Sequence, residues 1–307
     1  MPVLPTITPD ALGFVPDGPG APGAEPGSWR KEIGGRTVRF RRLRTLAELE
    51  PVEDLQRAVF AGIADRDLWA AGMLVTVPDT GGEVLGASVP EPGGKAELAG
   101  FAIGWGGFVS GRPRILSDML GVRPGFRGGG LGAEIKKLQA ALALAAGFTE
   151  MVWTVDPLRA ANARLNFGKL GASAGSYVID RYGTGFAPDL YGGLPTDRLH
   201  VRWPLTDTGV HRRLLGDNPP RMAIDIEAIP LFDPRGSQSR EQRLPLVRVP
   251  LPADIDRLLL SDPAAALRWR LALRESLIAA FAQGYVITGF APPLAPATDP
   301  TFVLSLA

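Results

Sequence analysis

Apolar and polar positions change period several times along this chain, and each change marks an element. Residues 37–43 alternate with period two, as a strand with one buried face does. Thr45-Leu46-Ala47-Glu48 has the form of a capping box, and behind it Val52, Leu55, Val59 and Phe60 recur at helical steps, so a helix starts there. A less regular segment follows over 69–75, and the runs 83–89 and 98–108 read as strands. Residues 114–122 form another strand and 131–146 a helix, with Gly147 placed as its C′ residue. The apolar run 151–155 predicts a buried strand, 160–170 a helix, and 176–182 and 199–205 two further strands.

The two ends read differently. Residues 1–35 contain Pro16-Asp17-Gly18-Pro19-Gly20 and Ala21-Pro22-Gly23, too dense in turn formers for a regular element, and are expected to form an extended arm. From 206 to 245 the chain turns polar and proline-rich, which places a seam there. Order returns with a strand at 246–250. Asp262-Pro263 then supplies an N-cap and a proline at N1 for a helix whose apolar face is Leu267, Leu271, Leu277 or Ile278, and Phe281, ending at Gly284. Strands at 285–290 and 302–306 close the chain. The expected organisation is an arm (1–35), a main domain (36–205) and a C-terminal strand-helix-strand extension (206–307), which either adds to the first sheet or forms half of a second lobe.

Composition narrows the function. At 307 residues and 45% hydrophobic content the chain can bury a large core, and its length suggests about two domains. Lys and Arg number 33 against 32 Asp and Glu, so no basic field favours nucleic acid or an anionic membrane as partner. The chain has no cysteine, which removes disulfides, thiolate metal sites and a cysteine nucleophile. His200 and His211 have neither a second histidine nor a carboxylate at ligand spacing, so no metal is expected. With no basic-then-apolar leader pattern and no apolar run of bilayer length, a cytoplasmic location is the expectation.

The richest chemistry lies in Val122-Arg123-Pro124-Gly125-Phe126-Arg127-Gly128-Gly129-Gly130-Leu131-Gly132, between the strand 114–122 and the helix 131–146. Closely spaced glycines let the backbone approach a ligand and aim N–H groups into one concavity at a helix N-terminus, where negative charge is favoured. Such a turn suits a phosphate or pyrophosphate. A P-loop needs Lys-Ser or Lys-Thr after its last glycine, and Ala133-Glu134 stands there instead. Gly128, Gly130 and Ala133 meet the dinucleotide pattern G-x-G-x-x-G/A, with Asp156 closing the next strand, and a dinucleotide-binding oxidoreductase is thereby a rival reading. In that pattern the first glycine follows the strand directly, whereas residues 123–127 intervene here.

The frame V-x-P-x-x-R-G-x-G-x-G resembles motif A of the GNAT superfamily of N-acetyltransferases, whose core Arg/Gln-x-x-Gly-x-Gly/Ala is met by Arg127, Gly130 and Gly132. The resemblance continues through the strand 151–155 and through 162–172, ending Lys169-Leu170-Gly171-Ala172, which looks like motif B; it covers roughly residues 36–205. Met119-Leu120-Gly121-Val122, the run 153–158 and the run 193–198 resemble a bacterial subgroup of predicted acetyltransferases, some associated with N-acylamino acid racemases.

The resemblance implies a mixed α/β fold, a twisted mixed sheet flanked by helices, and a soluble N-acyltransferase using acetyl-CoA or another acyl-CoA. The acyl group is acetyl or another short one such as succinyl, and the acceptor a small amine such as an amino acid. A non-catalytic acyl-CoA-binding or sensing protein is the alternative. By resemblance, Arg127, Gly128, Gly129, Gly130, Leu131 and Gly132 hold the CoA pyrophosphate, and backbone groups of Leu120, Gly121 and Val122 meet the thioester oxygen. The pantetheine runs between the strands ending at Val122 and Val155, where Asn162 and Phe167 of motif B are the candidate contacts. Asn162 is displaced by two positions from the usual asparagine, and Phe167 stands where many relatives carry the tyrosine that protonates the departing thiolate. Tyr182, or Tyr177, is the candidate replacement acid, and Asp118 the candidate base. Lys136 and Lys137 are expected on the solvated face of their helix, and Glu134 as a dipole partner in its first turn. Arg198 is a candidate partner for a substrate carboxylate unless Asp197 beside it takes up its charge.

Overall fold

The computed structural model describes residues 6–18, 27–90, 96–216, 225–236, 243–293, 295 and 298–307. In chain order the elements begin with β1 (Val15–Pro16), β2 (Ser28–Ile33), β3 (Arg36–Arg42), α1 (Leu46–Val59), α2 (Ala71–Leu74), β4 (Glu83–Pro90), β5 (Ala96–Val109) and β6 (Arg112–Val122). Next come α3 (Leu131–Ala145), β7 (Glu150–Val155), α4 (Ala160–Ala163) running into a π-helical stretch (Arg164–Leu170), β8 (Ser173–Val178), α5 (Pro188–Tyr191), β9 (Arg198–Pro204) and α6 (Thr208–Leu214). The chain ends with β10 (Leu246–Pro250), α7 (Ile255–Ser261), α8 (Pro263–Ala282), β11 (Tyr285–Ala291) and β12 (Thr301–Leu306). This is a mixed α/β architecture of largely antiparallel strands flanked by helices.

Internal packing divides the chain into two compact units: Met1–Val152 with Pro204–Gly216, and Trp153–Trp203 with Asp217–Ala307. The sequence expects 36–205 as one domain; instead 153–203 pack with the C-terminal residues. The cause is visible inside the second unit, where β8 pairs with β11 and arginines of α8 pair with Asp156 and Asp197.

In the first unit the strand order is β1-β2-β3-β4-β5-β6-β7, antiparallel except for β6 and β7, which pair in parallel at Ile115/Met151 and Leu116/Val152. β5 is the central strand and alternates. Phe101 and Ile103 face Leu49, Val52, Leu55 and Leu74 of α1 and α2, while Gly100 and Gly104 face Ile135 and Gln139 of α3. Glu48 accepts from the Thr45 N–H at 3.1 Å, so the capping-box residues do close the start of α1.

The expected N-terminal arm needs correction. Its run 19–26 lies outside the described residues, but β1 and β2 pair antiparallel, and Phe14 and Trp29 are buried. β2 was hidden because a cation occupies its inner row: Trp29, Lys31 and Ile33 alternate with exposed Arg30 and Glu32. Lys31 is accommodated there by the Leu12 carbonyl and the Glu134 carboxylate, each 2.6 Å away, and by the Phe14 ring. Gly34-Gly35, both at positive φ, turn β2 into β3 as a two-residue hairpin does.

In the second unit the order is β9-β8-β11-β12-β10, antiparallel throughout, so the C-terminal strands extend the sheet that carries β8. α8 is turned away from the expected face. Ala266, Arg270, Leu273, Leu277 and Ala280 are buried, whereas Leu267, Leu271 and Ile278 are exposed. Arg270 faces inward because Asp156 waits there, and hydrophobicity alone gives no sign of that pairing.

Candidate functional site

The segment 122–132 forms a short 3₁₀ turn (Pro124–Phe126) followed by the glycines and the start of α3. Gly128 and Gly130 lie at φ +85° and +95°, in the left-handed region that side chains disfavour, so these positions demand glycine. A Cβ added at Gly125, Gly128, Gly129 or Gly130 would meet no atom within 4 Å, so the space beside each of these glycines is open. Ala133 and Glu134 donate back to the Gly130 carbonyl. The N–H groups of Gly128, Gly129, Gly130, Leu131 and Gly132 have no partner among the described residues. Consecutive unpaired N–H groups at a helix N-terminus form a site for an anion.

The framing residues hold this turn. Gly121 is compulsory for packing, since a Cβ there would lie 2.3 Å from Phe101 Cε1. Leu120, Gly121 and Val122 pair with Ala102, Phe101 and Gly100, committing one edge of this stretch to β5. Arg127, the expected phosphate contact, is exposed and donates to the Val122 carbonyl at 3.0 Å and the Val59 carbonyl at 3.4 Å, which folds it back along the turn. Arg36 lies over the Phe126 ring, adding a second cation beside the glycines. The Glu134 carboxylate is opposed by burial but held below the usual range by hydrogen bonds from Lys31 and Lys137, as befits a charged group in the first turn of α3.

Lys136 is not on a solvated face. It is 2% exposed, and Nζ donates to Ser117 Oγ at 2.8 Å and to Gln139 Oε1 at 3.3 Å. Burial drives its pKa down to about 7. The sequence offered one signal: Lys136 stands a single turn from Ala133, Gln139 and Ala140, on a face of the helix that carries no other charge.

Asp118 lies on the opposite face of β6 from Ser117, beside an irregularity where Met119 and Leu116 oppose Ile103 and Trp105, one extra residue being carried by β6. The bulge turns the Asp118 carboxylate out to an exposed position, where it accepts from the Trp69 indole N–H. Trp69 packs on Trp105 at 5.1 Å between ring centroids and is fixed through its backbone by Gln56. Trp69 fell in the weakest stretch of the sequence pattern, and no periodicity pointed to its polar role.

The remaining candidates belong to the second unit. Tyr182 follows β8 instead of ending it. It is 42% exposed, stacks on Phe186 and lies 3.3 Å from Thr154 Oγ1. Tyr177 donates to Asp197 at 2.7 Å, and burial together with that carboxylate pushes its pKa up, so it is a poor acid. Asn162 is half-buried in α4, whereas Asn166 and Phe167 are buried in the π-helical stretch, with Phe167 edge-on to Phe302. Phe167 thus fills core. Among the described residues no group of three or more His, Cys, Asp or Glu is placed to hold a metal ion, and no helix is long and apolar enough to cross a membrane.

No protein-family model matches the chain, and no curated protein matches it in sequence. Among solved structures the chain is similar to the NatC complex bound to Gag peptide and CoA, at 15% identity over 55% of this chain and 99% of that one, with a TM-score of 0.45. It is also similar to the ribosomal-protein-S18-alanine N-acetyltransferase from Escherichia coli, at 17% identity over 56% and 96% of the two chains, TM-score 0.41. An N-acetyltransferase from Staphylococcus aureus Mu50 aligns at 13% identity over 55% and 99%, TM-score 0.42.

Proposed function

We propose that this protein is a CoA-dependent N-acyltransferase of the GNAT kind, which moves an acetyl or other short acyl group to a small amine by direct attack. The supporting observation is the turn at the start of α3, with its open glycines and the unpaired N–H groups of residues 128–132. A pyrophosphate matches that donor set, and Arg127 and Arg36 add positive charge beside it. When bound, acyl-CoA supplies an activated thioester.

The chain's own groups then have assigned tasks. Backbone groups at Leu120, Gly121 and Val122 stabilise the oxyanion that forms as the amine attacks. Asp118, oriented by Trp69, takes the amine proton directly or through water, and the departing thiolate takes a proton from water. The absence of cysteine fits a direct attack with both substrates bound together, without an acyl-cysteine intermediate. An amino acid suits a single weak base as acceptor, because an α-amino group near pKa about 8 loses its proton more readily than a lysine near about 10.4.

One observation favours the rival, an acyl-CoA-binding protein without turnover: Phe167, at the position of the usual acid, is a core residue. Incubation with acetyl-CoA and a panel of amino acids and polyamines separates the two. Thiol release that depends on an amine establishes transfer, CoA binding without thiol release establishes the rival, and the protein contributes no thiol of its own.

A further inference from the structure

The helix α8 is apolar on two sides. Through a buried row that includes Leu273, Leu277 and Ala280 it packs on β8, β10 and β11. Its other side faces solvent, yet of the exposed positions only Arg268 and Glu275 are polar, the rest being leucine, isoleucine, alanine and the proline at N1. Leu267, Leu271 and Ile278 are 41, 48 and 39% exposed, and at steps of four and seven residues they line one side of the helix. A helix surface that meets water ordinarily carries charged and polar groups, and a helix apolar on both sides is one that is covered on both. Single surface leucines are ordinary, but three in line along one helix form a patch.

The two charges indicate what covers it. Arg268 and Glu275 stand two turns apart, about 10.5 Å along the axis, and so project from the same line of the helix. Within the chain each has a loose partner: Arg268 is 3.4 Å from Asp262 and Glu275 3.7 Å from Arg235, and all four side chains are more than half exposed. Pairs of that kind hold their side chains weakly. A line with one charge of each sign, equally far from its midpoint, is complementary to itself when turned end over end. The midpoint falls between Leu271 and Ala272.

We propose that the exposed face of α8 pairs antiparallel with the same face of a second copy of this chain, about a twofold axis at Leu271–Ala272. Arg268 of each copy then meets the partner's Glu275, once on either side of the axis, and the two copies of Leu271 close on each other between these pairs. Ile278 lands on the partner's Ala264 and the partner's Ala265, small side chains that let the backbones approach. The same charges disfavour the alternatives. Parallel pairing sets Arg268 against the partner's Arg268 and Glu275 against the partner's Glu275, and an antiparallel shift of one heptad brings together either the two arginines or the two glutamates. Direction and register are both specified.

An interface of one helix per copy lies at the small end of stable interfaces, so a dissociation constant on the order of 10 µM is expected. Sedimentation equilibrium of the whole protein over roughly 1–300 µM brackets that value and does not depend on turnover. Leu271→Glu, which sets two carboxylates at the axis and leaves the buried row untouched, should weaken the dimer by about tenfold or more. Arg268→Glu should do the same, and the combined Arg268→Glu/Glu275→Arg chain should recover wild-type association, because the exchange restores opposite charges across the axis. Circular dichroism checks that each variant is folded; if Leu271→Glu is not, the charge exchange alone decides. A monomer throughout the range overturns the pairing and leaves the face to a different protein. A dimer indifferent to both single substitutions overturns it as well. A dimer weakened by Arg268→Glu but not recovered by the exchange overturns the antiparallel register.

Discussion

Arg270 on α8 and Asp156 at the end of β7 form a buried two-bond ion pair, Nη1 to Oδ1 and Nη2 to Oδ2 both at 2.9 Å, across 114 residues of sequence. Burial alone would raise the Asp156 pKa, but the Arg270 charge and hydrogen bonds outweigh it and hold the carboxyl below its ordinary range. Arg270→Met strands that carboxylate in the interior, and a loss of about 3–5 kcal/mol in urea unfolding is expected. Because the folded-state pKa is depressed, the carboxyl's contribution is present above the ordinary carboxylate range and lost as pH falls through the lowered value. The cost of Arg270→Met should therefore shrink in acid. A cost that stays constant down to pH 2 would show that Arg270 acts by packing alone.

Lys136 carries the opposite sign. Its ordinary pKa of 10.5 falls to about 7 on burial, so between those values the unfolded chain binds more protons than the folded one, and stability from this group rises with pH. Lys136→Met removes the ionisable group and leaves the Ser117–Gln139 bond of 2.8 Å in place. It should stabilise the protein by about 1–3 kcal/mol at pH 6, with the gain fading toward pH 10. Denaturation curves at the two pH values decide the matter; destabilisation at pH 6 would mean that Lys136 is needed charged.

These two residues mark where sequence legibility ends. The period of the apolar pattern located α1, α3, β4, β5 and β6, and the glycine spacing located the turn, because each depends on neighbours in the chain. Lys31 in β2, Lys136 in α3 and Arg270 in α8 defeat that pattern: each is a cation on an inward row, made tolerable by partners 19 to 114 residues away. The rotation of α8 follows from the same cause, since the helix turns its Arg270 row inward and leaves Leu267 and Leu271 outside. The Trp69–Asp118 contact spans 49 residues and was equally out of reach.

The glycine turn yields a clean binding test at Gly129, which has open space around it and no positive φ, unlike Gly130. Gly129→Ala should fold and bind CoA within about threefold of wild type, since a methyl group meets nothing there. Gly129→Glu sets a carboxylate against the unpaired N–H groups and should weaken CoA by roughly 10²-fold or more, equivalent to about 3 kcal/mol. Calorimetric titration measures both. Equal affinities for the two variants would place the CoA site elsewhere.

Proton transfer at Asp118 gives the last test. If this carboxylate takes the proton from the amine, Asp118→Asn keeps its shape, and the amide oxygen can still accept from the Trp69 indole, but the basic site is gone. Turnover should fall by roughly 10²-fold with CoA affinity unchanged, and the deficit should narrow as pH rises, since a free amine needs no base. Trp69→Phe retains a ring against Trp105 while removing the N–H that orients the carboxylate, so a smaller fall in kcat at constant CoA affinity is expected. Near-normal rates for Asp118→Asn across the pH range would remove the base assignment and leave the backbone at Leu120–Val122, with the positioning of both substrates, to account for the rate.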